Sequence, residues 1–254
     1  RDIKQLEPLL PRILQLVRGQ TGQDFSNYKE TTIKRRILHR MGVRRISSGE
    51  EYLVYLEHHP GEVERLAGEL LVGVTSFFRD TEAFESLEEH AFPSFLSNRD
   101  PDDAIRIWVP GCSTGEEAYS IAMSLSEFLE RENRTDQQFN IFATDLDSTA
   151  VDTARAACYP QGAALDIPQP LLEKYLTRSG AQYEFAHALR QKLTFAVHSV
   201  FKDPPFSRMD LISCRNLLIY LQPGLQEQVL SLLHYSLKVG GFLLLGNLEG
   251  TGRF

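Results

Sequence analysis

Residues 105–117, IRIWVPGCSTGEE, carry the strongest structural signal in the chain. An apolar segment typical of a strand runs into a turn with two glycines, and this turn leads into a helical segment. Glycine lacks a Cβ, so the backbone of such a turn can approach a ligand closely, and the first turn of a helix offers unpaired N–H groups. A strand, a glycine turn and a helix in this order are typical of a nucleotide-cofactor site in a parallel α/β sheet.

The two glutamates that follow the turn restrict the kind of cofactor. The turn has neither the Gly-Lys-Ser/Thr of a P-loop nor the G-x-G-x-x-G of a dinucleotide site. Glu116 and Glu117 would repel a pyrophosphate. They suit a ligand that carries hydroxyl groups and positive charge, such as S-adenosylmethionine with its ribose diol, ammonium and sulfonium. An ordinary strand-to-helix turn without a ligand is an equally open interpretation of this stretch alone.

The next strand ends in a second candidate ligand-binding carboxylate. The segment FNIFATDLD, residues 139–147, places Asp145 at the end of its apolar part. A carboxylate at the end of the second strand can accept hydrogen bonds from both ribose hydroxyls of a cofactor. The alternative is a helix cap for the following STAVDTARA, but Asp147 can serve as that cap and leave Asp145 for a ligand.

Strands and helices alternate through the rest of the chain from about residue 79. Further strands are expected at MDLISCRN (209–216) and FLLLGN (242–247), with helices between them. This alternation predicts a parallel sheet covered by helices. Between residues 175 and 200, the alternating apolar residues of YEFAHAL and LTFAVHSV predict a β-hairpin, or a small antiparallel subdomain, inserted into the α/β domain.

The N-terminal part differs, because residues 1–72 show helical periodicity only. We therefore expect a helical domain over residues 1–78 and an α/β domain over residues 79–254. One helix of the first domain is strongly basic: seven basic residues against one acid lie between Lys29 and Arg45. An acidic partner is predicted to dock there, and a merely solvated basic face is the alternative. The candidate docking residues are Lys34, Arg35, Arg36, Arg40 and Arg44.

Composition excludes several classes of protein. With 42% hydrophobic and 24% charged residues in 254, the chain has the make-up of a soluble globular protein, and no apolar run is long enough to insert into a membrane. The net charge of −7 argues against nucleic-acid binding. Three cysteines without a C-x-x-C predict neither disulfides nor a metal site and favour a cytoplasmic location. Since the chain opens with Arg-Asp-Ile, we expect it to be a piece of a longer protein.

Four segments taken together resemble the chemotaxis-receptor methyltransferase (CheR) family: TSFFRD (75–80), GCSTGEEAYSIAM (111–123), FATDLD (142–147) and CRNLLIY (214–220). The resemblance runs in order along almost the whole chain. It implies the class I fold of S-adenosylmethionine-dependent methyltransferases, a Rossmann-like α/β sheet with a small all-α N-terminal domain and an inserted antiparallel β-subdomain. It also implies methylation of glutamate side chains on the cytoplasmic helices of chemoreceptors.

The same resemblance assigns roles by position. Arg79 and Tyr220 are placed at the reaction centre, and the cofactor is expected to lie against Gly73, Thr75, Arg79, Gly111, Glu117, Asp145, Ser199, Val200, Cys214 and Arg215. Gly73 and Ser199 stand where the family pattern has asparagine, so the contacts at these two positions are expected to involve main chain or water. The inserted subdomain resembles the one with which some members grip a C-terminal receptor peptide. The closing hairpin of the sheet is expected to be incomplete in this chain.

The predicted chemistry needs no metal and no general base. A glutamate carboxylate is ionised near neutral pH, with a reference pKa of about 4.3, and it is itself the nucleophile toward a sulfonium methyl group. Arg79 could orient that carboxylate, and Tyr220 could donate a hydrogen bond or shape the methyl channel. The structural alternatives are a surface salt bridge for Arg79 and a core aromatic for Tyr220.

One tetrapeptide suggests a competing function. Asp203-Pro-Pro-Phe206 is the sequence expected in the active site of enzymes that methylate the amino groups of DNA bases. There it must follow the fourth strand, whereas here the apolar strand comes after it. We therefore interpret it as an extended lead-in. Three hypotheses follow: a receptor-glutamate methyltransferase, a nucleic-acid amino-methyltransferase, and a non-catalytic module that keeps the cofactor pocket and only docks receptors.

Overall fold

The computed structural model of the chain describes residues 5–97 and 99–252, which divide into two units. The smaller unit comprises Arg1–Val72 with Leu218–Gln226, and the larger comprises Gly73–Leu217 with Glu227–Phe254. The sequence-based boundary after residue 78 lies close to the break between Val72 and Gly73. The return of residues 218–226 to the smaller unit was not expected from the sequence.

The smaller unit is built from helices. They are α1 (Leu10–Thr21), α2 (Glu30–Arg44), α3 (Gly49–His58) and α4 (Pro60–Leu70). Apolar residues at helical spacing, such as Ile33 and Ile37 of α2, are fully buried between them. A carboxylate is buried here as well: Glu62 accepts hydrogen bonds from Arg40 and Arg44 at 2.7 Å each. Burial raises the pKa of Glu62, but these two hydrogen bonds outweigh burial and leave it below its usual value.

In its described residues, the larger unit contains eight strands in two sheets. In chain order they are β1 (Ile105–Pro110), β2 (Phe139–Asp145), β3 (Cys158–Pro160), β4 (Leu176–Ser179), β5 (Gln182–Phe185), β6 (Leu193–Val197), β7 (Met209–Cys214) and β8 (Leu237–Leu245). The main sheet has the order β6-β2-β1-β7-β8, and all its strand pairs are parallel. This is the parallel sheet that the alternation of strands and helices predicted.

Helices flank this sheet. They are α5 (Thr81–Ser86), a π-helical turn (Leu87–Ala91), α6 (Phe92–Leu96), α7 (Glu116–Arg131), α8 (Ser148–Ala156), α9 (Gln161–Ala164), α10 (Gln169–Tyr175), α11 (His187–Arg190) and α12 (Pro223–Ser236), whose first residues belong to the smaller unit. The core of the larger unit includes Ile107 of β1, Ile121 of α7 and Ile141 of β2, all fully buried. Packing of α7 on the sheet fixes where the glycine turn between β1 and α7 lies.

The small antiparallel sheet is confirmed, but its strands differ from those predicted. It has the order β3-β5-β4, so YEF of β5 pairs with LTRS of β4. The predicted partner LTFAV is instead β6, which pairs in parallel with β2 at the edge of the main sheet. The hairpin prediction was wrong at this point because the half-buried edge strand β6 shows the same alternation as a hairpin strand. Leu193 and Phe195 point into the main core.

The Asp-Pro-Pro-Phe tetrapeptide precedes β7, as the sequence predicted. The ring of Phe206 lies 5.2 Å from that of Trp108 and 5.1 Å from that of Phe142, so it covers residues of the sheet. The Asp203 carboxylate accepts a hydrogen bond from the N–H of Ser199 at 2.7 Å. The tetrapeptide therefore closes a turn and packs against the sheet.

Candidate functional site at the carboxyl ends of the parallel strands

The turn between β1 and α7 can be formed only with glycine at its end. Gly115 has φ +95°, and a Cβ there would lie 2.8 Å from the Cβ of Ala154 and 3.1 Å from the hydroxyl of Tyr159. Gly111 also has a positive φ, +71°, and is exposed. The turn therefore exposes main chain at Gly111 and brings α7 close to its neighbours at Gly115.

Asp145 lies at the end of β2, where it is linked to this turn. Its Oδ2 accepts a hydrogen bond from the N–H of Ser113 at 2.8 Å, and its Oδ1 accepts one from the N–H of Asp147 at 2.9 Å. Burial raises the pKa of Asp145, and these main-chain hydrogen bonds act against that rise. Asp147 caps α8 through the N–H groups of Thr149 and Ala150, as the sequence allowed.

Glu117, in the first turn of α7, is held by two residues at the end of β7. Its Oε1 accepts a hydrogen bond from the hydroxyl of Ser213 at 2.6 Å, and its Oε2 accepts one from Nη1 of Arg215 at 3.2 Å. Burial raises the pKa of Glu117, although the positive charge of Arg215 and the hydroxyl of Ser213 both lower it.

Arg215 joins this carboxylate to the segment that precedes α5. The Arg215 side chain is 1% exposed, and its Nη2 donates to the carbonyl of Arg79 at 2.6 Å and to the carboxylate of Asp80 at 2.7 Å. The ring of Phe84 lies 5.7 Å from its guanidinium carbon. Arg215 thus has a buried structural role that the sequence did not reveal, since it connects three separate parts of the chain.

The segment 73–80 is fixed by contacts with the turn and with α7. The carbonyl of Gly73 accepts a hydrogen bond from the hydroxyl of Ser113 at 3.3 Å, and a Cβ at Gly73 would lie 3.1 Å from that hydroxyl. The Arg79 guanidinium donates to the carbonyl of Val74 at 3.0 Å. Thr75 follows Val74 in the chain, and its side chain is half-buried. Arg79 is thus linked to Glu117 through Arg215, whereas Gly73 contacts the glycine turn at Ser113.

The residues predicted to lie near adenine are both buried. Ser199 is 4% exposed and Val200 is 7% exposed. The Ser199 hydroxyl accepts a hydrogen bond from the N–H of Lys202 at 3.2 Å, so this side chain already stabilises the turn after β6. Cys214 is fully buried, and burial raises the pKa of its thiol well above the usual value.

Comparison with known proteins matches both units to one family. Residues 73–252 match the family described as "CheR methyltransferase, SAM binding domain", and residues 9–71 match "CheR methyltransferase, all-alpha domain". The chain belongs to the CheR methyltransferase family.

Individual relatives extend this match over nearly the whole chain. An uncharacterized 104.1 kDa protein of Rhodobacter capsulatus is 40% identical over 96% of this chain, which covers only 26% of that protein. The chemotaxis protein methyltransferase of Borreliella burgdorferi is 30% identical over 94% of this chain and 87% of its own length. Chemotaxis protein methyltransferase 2 of Vibrio cholerae is 30% identical over 92% of this chain and 82% of its own length.

The chemistry of the site fits S-adenosylmethionine (SAM), the ligand given in the description of the matching family domain. Asp145 ends β2 and Glu117 lies in the first turn of α7, and both carboxylates are suitable acceptors for the hydroxyl and ammonium groups of such a cofactor. The buried Nε of Arg215 makes no hydrogen bond within the described part of the chain. Over residues 5–97 and 99–252 there is no cluster of three or more metal-binding side chains.

Tyr220 belongs to the helical unit of the CheR methyltransferase. It ends a 3₁₀ turn (Leu218–Tyr220), and its carbonyl accepts a hydrogen bond from the N–H of Lys29 at 2.8 Å. Leu221, the next residue, forms an antiparallel bridge with Tyr28. The role of Tyr220 at the reaction centre stays a prediction.

The basic helix α2 is partly neutralised within the helical unit. Lys34 pairs with Glu30 at 2.9 Å. Arg40 and Arg44 are held by Glu62, and Arg40 also reaches Glu69. Arg35 is exposed and Arg36 is half-buried. The docking role of the basic helix stays a prediction, and Arg35 is the exposed member of the five candidate docking residues.

Sequence reasoning missed one residue at the end of the sheet, Glu249. Its carboxylate accepts hydrogen bonds from the N–H groups of Asn216, Leu217 and Gly246. The only signal for it in the sequence was an acidic residue three positions after Gly246, the glycine that follows β8.

Among the described helices of the chain, none combines the length and apolar character needed to cross a membrane.

Proposed function

We propose that the chain transfers the methyl group of S-adenosylmethionine to glutamate side chains on the cytoplasmic helices of chemoreceptors. The products are a glutamate methyl ester and S-adenosylhomocysteine. Family membership supports methyl transfer from this cofactor, and the names of the Borreliella and Vibrio relatives support a role in chemotaxis. Such receptors place their methylated helices in the cytoplasm, which is the compartment we propose for this protein.

The observation that carries the proposal is the pair of contacts made by Arg215. Its guanidinium binds the carboxylate of Glu117 through Nη1 and the carbonyl of Arg79 through Nη2. The segment expected to orient the substrate is thereby connected to the carboxylate expected to hold the cofactor. We propose that Glu117 binds the amino group of the methionine part and that Asp145 binds the ribose hydroxyls.

The remaining cofactor contacts follow the same arrangement. Gly73 and Thr75 would border the methionine part, Gly111 would let the backbone approach it, and Cys214 would line the floor of the site. Ser199 and Val200 would lie beside the adenine. Because the Ser199 hydroxyl is engaged in a turn, we expect its contact with adenine to come from main chain.

The reaction asks the protein for positioning and for exclusion of water. When bound, S-adenosylmethionine supplies a methyl group activated by a positive sulfonium. The substrate glutamate is already ionised, so the chain needs no base to remove a proton from it. Arg79 would hold that carboxylate by charge-assisted hydrogen bonds, with Tyr220 as a second donor. Attack of a carboxylate on a sulfonium neutralises both charges, and a water-poor site favours that change.

Receptor docking is assigned to the basic helix α2 and to the small antiparallel sheet. Arg35 and Arg36 would attract the glutamate-rich methylation helices. Lys34, Arg40 and Arg44 would contribute to the same positive field, although their ion pairs within the unit reduce it. The antiparallel sheet of β3, β4 and β5 could hold a receptor C-terminal peptide.

One assay tests the proposal directly. Purified protein is incubated with methyl-labelled S-adenosylmethionine and chemoreceptor cytoplasmic fragments, with DNA in a parallel reaction. We expect label on the receptor that base releases as methanol, and none with Glu117→Gln at the same concentration. Stable label on DNA would contradict the proposed substrate. Tight binding of S-adenosylhomocysteine without transfer to any cognate receptor would show a docking module instead.

A further inference from the structure

The turn that follows β7 is stabilised by a carboxylate from outside that strand. Glu249 Oε2 accepts the N–H groups of Asn216 and Gly246, each at 2.8 Å, and Oε1 accepts the N–H of Leu217 at 2.9 Å. Asn216 has φ +58°, a left-handed conformation that asparagine adopts more readily than most residues. Three N–H donors on one carboxylate stabilise the turn in this conformation.

The same carboxylate joins the ends of two neighbouring strands. β7 ends at Cys214 and β8 at Leu245, and these two residues are paired in register. Glu249 therefore bridges the turn at Asn216 and Leu217, which follows β7, and Gly246, which immediately follows β8. The space is tight, because a Cβ on Gly246 would lie 2.7 Å from Oε2 of Glu249 and 3.2 Å from the N–H nitrogen of Asn216.

This turn begins directly after Arg215, the residue that connects the candidate cofactor site. A shift of Asn216 and Leu217 would move the Arg215 backbone, and with it the guanidinium that contacts Glu117. The charge of Glu249 also acts on the site. Burial is the main cause of the raised pKa of Glu117, and the negative charge of Glu249 raises this pKa further. Geometry and charge both relate Glu249 to the site.

We propose that Glu249 is a positioning residue for the cofactor site: by holding the turn after β7, it keeps Arg215 in contact with Glu117 and with the Arg79–Asp80 segment. The inference rests on the proposed function only in that this site binds S-adenosylmethionine. It makes no use of the receptor substrate. Glu249 is not expected to touch the reacting atoms.

The test measures binding of S-adenosylhomocysteine by calorimetry and amide hydrogen exchange of the ligand-free protein. Glu249→Gln keeps the shape of the side chain but replaces one acceptor oxygen with an NH₂ group, which faces N–H donors. Gly246→Ala leaves Glu249 in place and displaces its carboxylate sterically. Glu227→Gln, an exposed glutamate of α12, is the matched control.

We expect Glu249→Gln and Gly246→Ala each to raise the dissociation constant at least tenfold. The amides of residues 216, 217 and 246 should exchange faster, while the control remains as wild type. If both variants fold and bind S-adenosylhomocysteine within twofold of wild type, the positioning role is wrong, even when exchange is faster. Failure of the wild type to bind would overturn the cofactor assignment and this inference with it. Loss of receptor methylation with normal binding would count only against the proposed substrate.

Discussion

Arg215 and Glu117 form a charge pair at the carboxyl ends of the strands, with Nη1 of the arginine 3.2 Å from Oε2 of the glutamate. The arginine side chain is 1% exposed and the glutamate side chain 16% exposed, so the pair is largely shielded from water. A pair of this kind is costly to break, because removing one partner leaves a buried charge uncompensated. Since the arginine also holds the Arg79–Asp80 segment, a substitution at Arg215 should affect both the candidate cofactor site and the segment that we propose orients the substrate.

Arg215→Lys tests the geometry of this pair. Lysine keeps the charge but lacks the planar fork that serves Glu117, the carbonyl of Arg79 and Asp80 at once. We expect the dissociation constant for S-adenosylhomocysteine to rise about tenfold and the free energy of unfolding to fall by about 2 kcal/mol, the value of one lost hydrogen bond to a charged group. Calorimetry and urea unfolding measure the two effects. Arg178→Lys, at an exposed strand position, should change neither, and an unchanged affinity in Arg215→Lys would refute the role of the fork.

The pH dependence of cofactor binding should reflect the raised pKa of Glu117. Binding of an ammonium group needs the ionised carboxylate, and burial raises the pKa of Glu117 above its usual value of 4.5. Affinity should therefore fall as the pH drops through the raised pKa, starting at a higher pH than an exposed glutamate would give. Calorimetric measurement of the dissociation constant at a series of pH values checks this expectation. Glu117→Gln should bind more weakly at neutral pH, and its affinity should depend less steeply on pH. An equally steep profile in that variant would assign the titration to Asp145, whose pKa burial also raises.

Gly115→Ala should destabilise the larger unit. The new methyl would lie 2.8 Å from the Cβ of Ala154, and the residue would hold a φ of +95°. Overpacking and left-handed strain together should lower the free energy of unfolding by about 3 kcal/mol. Gly162→Ala is the matched control, since nothing lies within 4 Å of its added Cβ. Comparable stability of the two variants would show that the turn can rearrange.

Charge reversal on helix α2 tests receptor docking. Arg35→Glu combined with Arg36→Glu should reduce kcat/KM for receptor methylation about tenfold at low ionic strength. The reduction should shrink at high salt, because exposed charges are screened beyond about 10 Å at 0.1 M salt. Binding of S-adenosylhomocysteine should be unaffected. Arg65→Glu, exposed on α4, is the control for net charge. An equal loss in the control would mean that total charge, and not this helix, attracts the substrate.

The sequence by itself determined the parallel sheet and predicted where the candidate cofactor site lies. Each signal was local: the glycine turn after β1, Asp145 directly after an apolar run, and the alternation of strands and helices. Strand direction also resolved Asp203-Pro-Pro-Phe206, because a segment that precedes its strand cannot lie at the carboxyl end of that strand. The period of the apolar residues differs between a strand and a helix, so the pattern indicated which type of element each segment forms.

Only the tertiary structure decided which elements are neighbours. The alternation of β6 matched a hairpin strand equally well, and only pairing with β2 placed it in the main sheet. Only the folded chain showed that Arg40, a predicted docking residue, is paired with Glu62, and that backbone donors surround the carboxylate of Glu249. These interactions join residues 22 and 33 positions apart, distances at which neither periodicity nor local motif carries information. The chemistry of a single charged side chain is readable from sequence, but its partner is chosen by the folded chain.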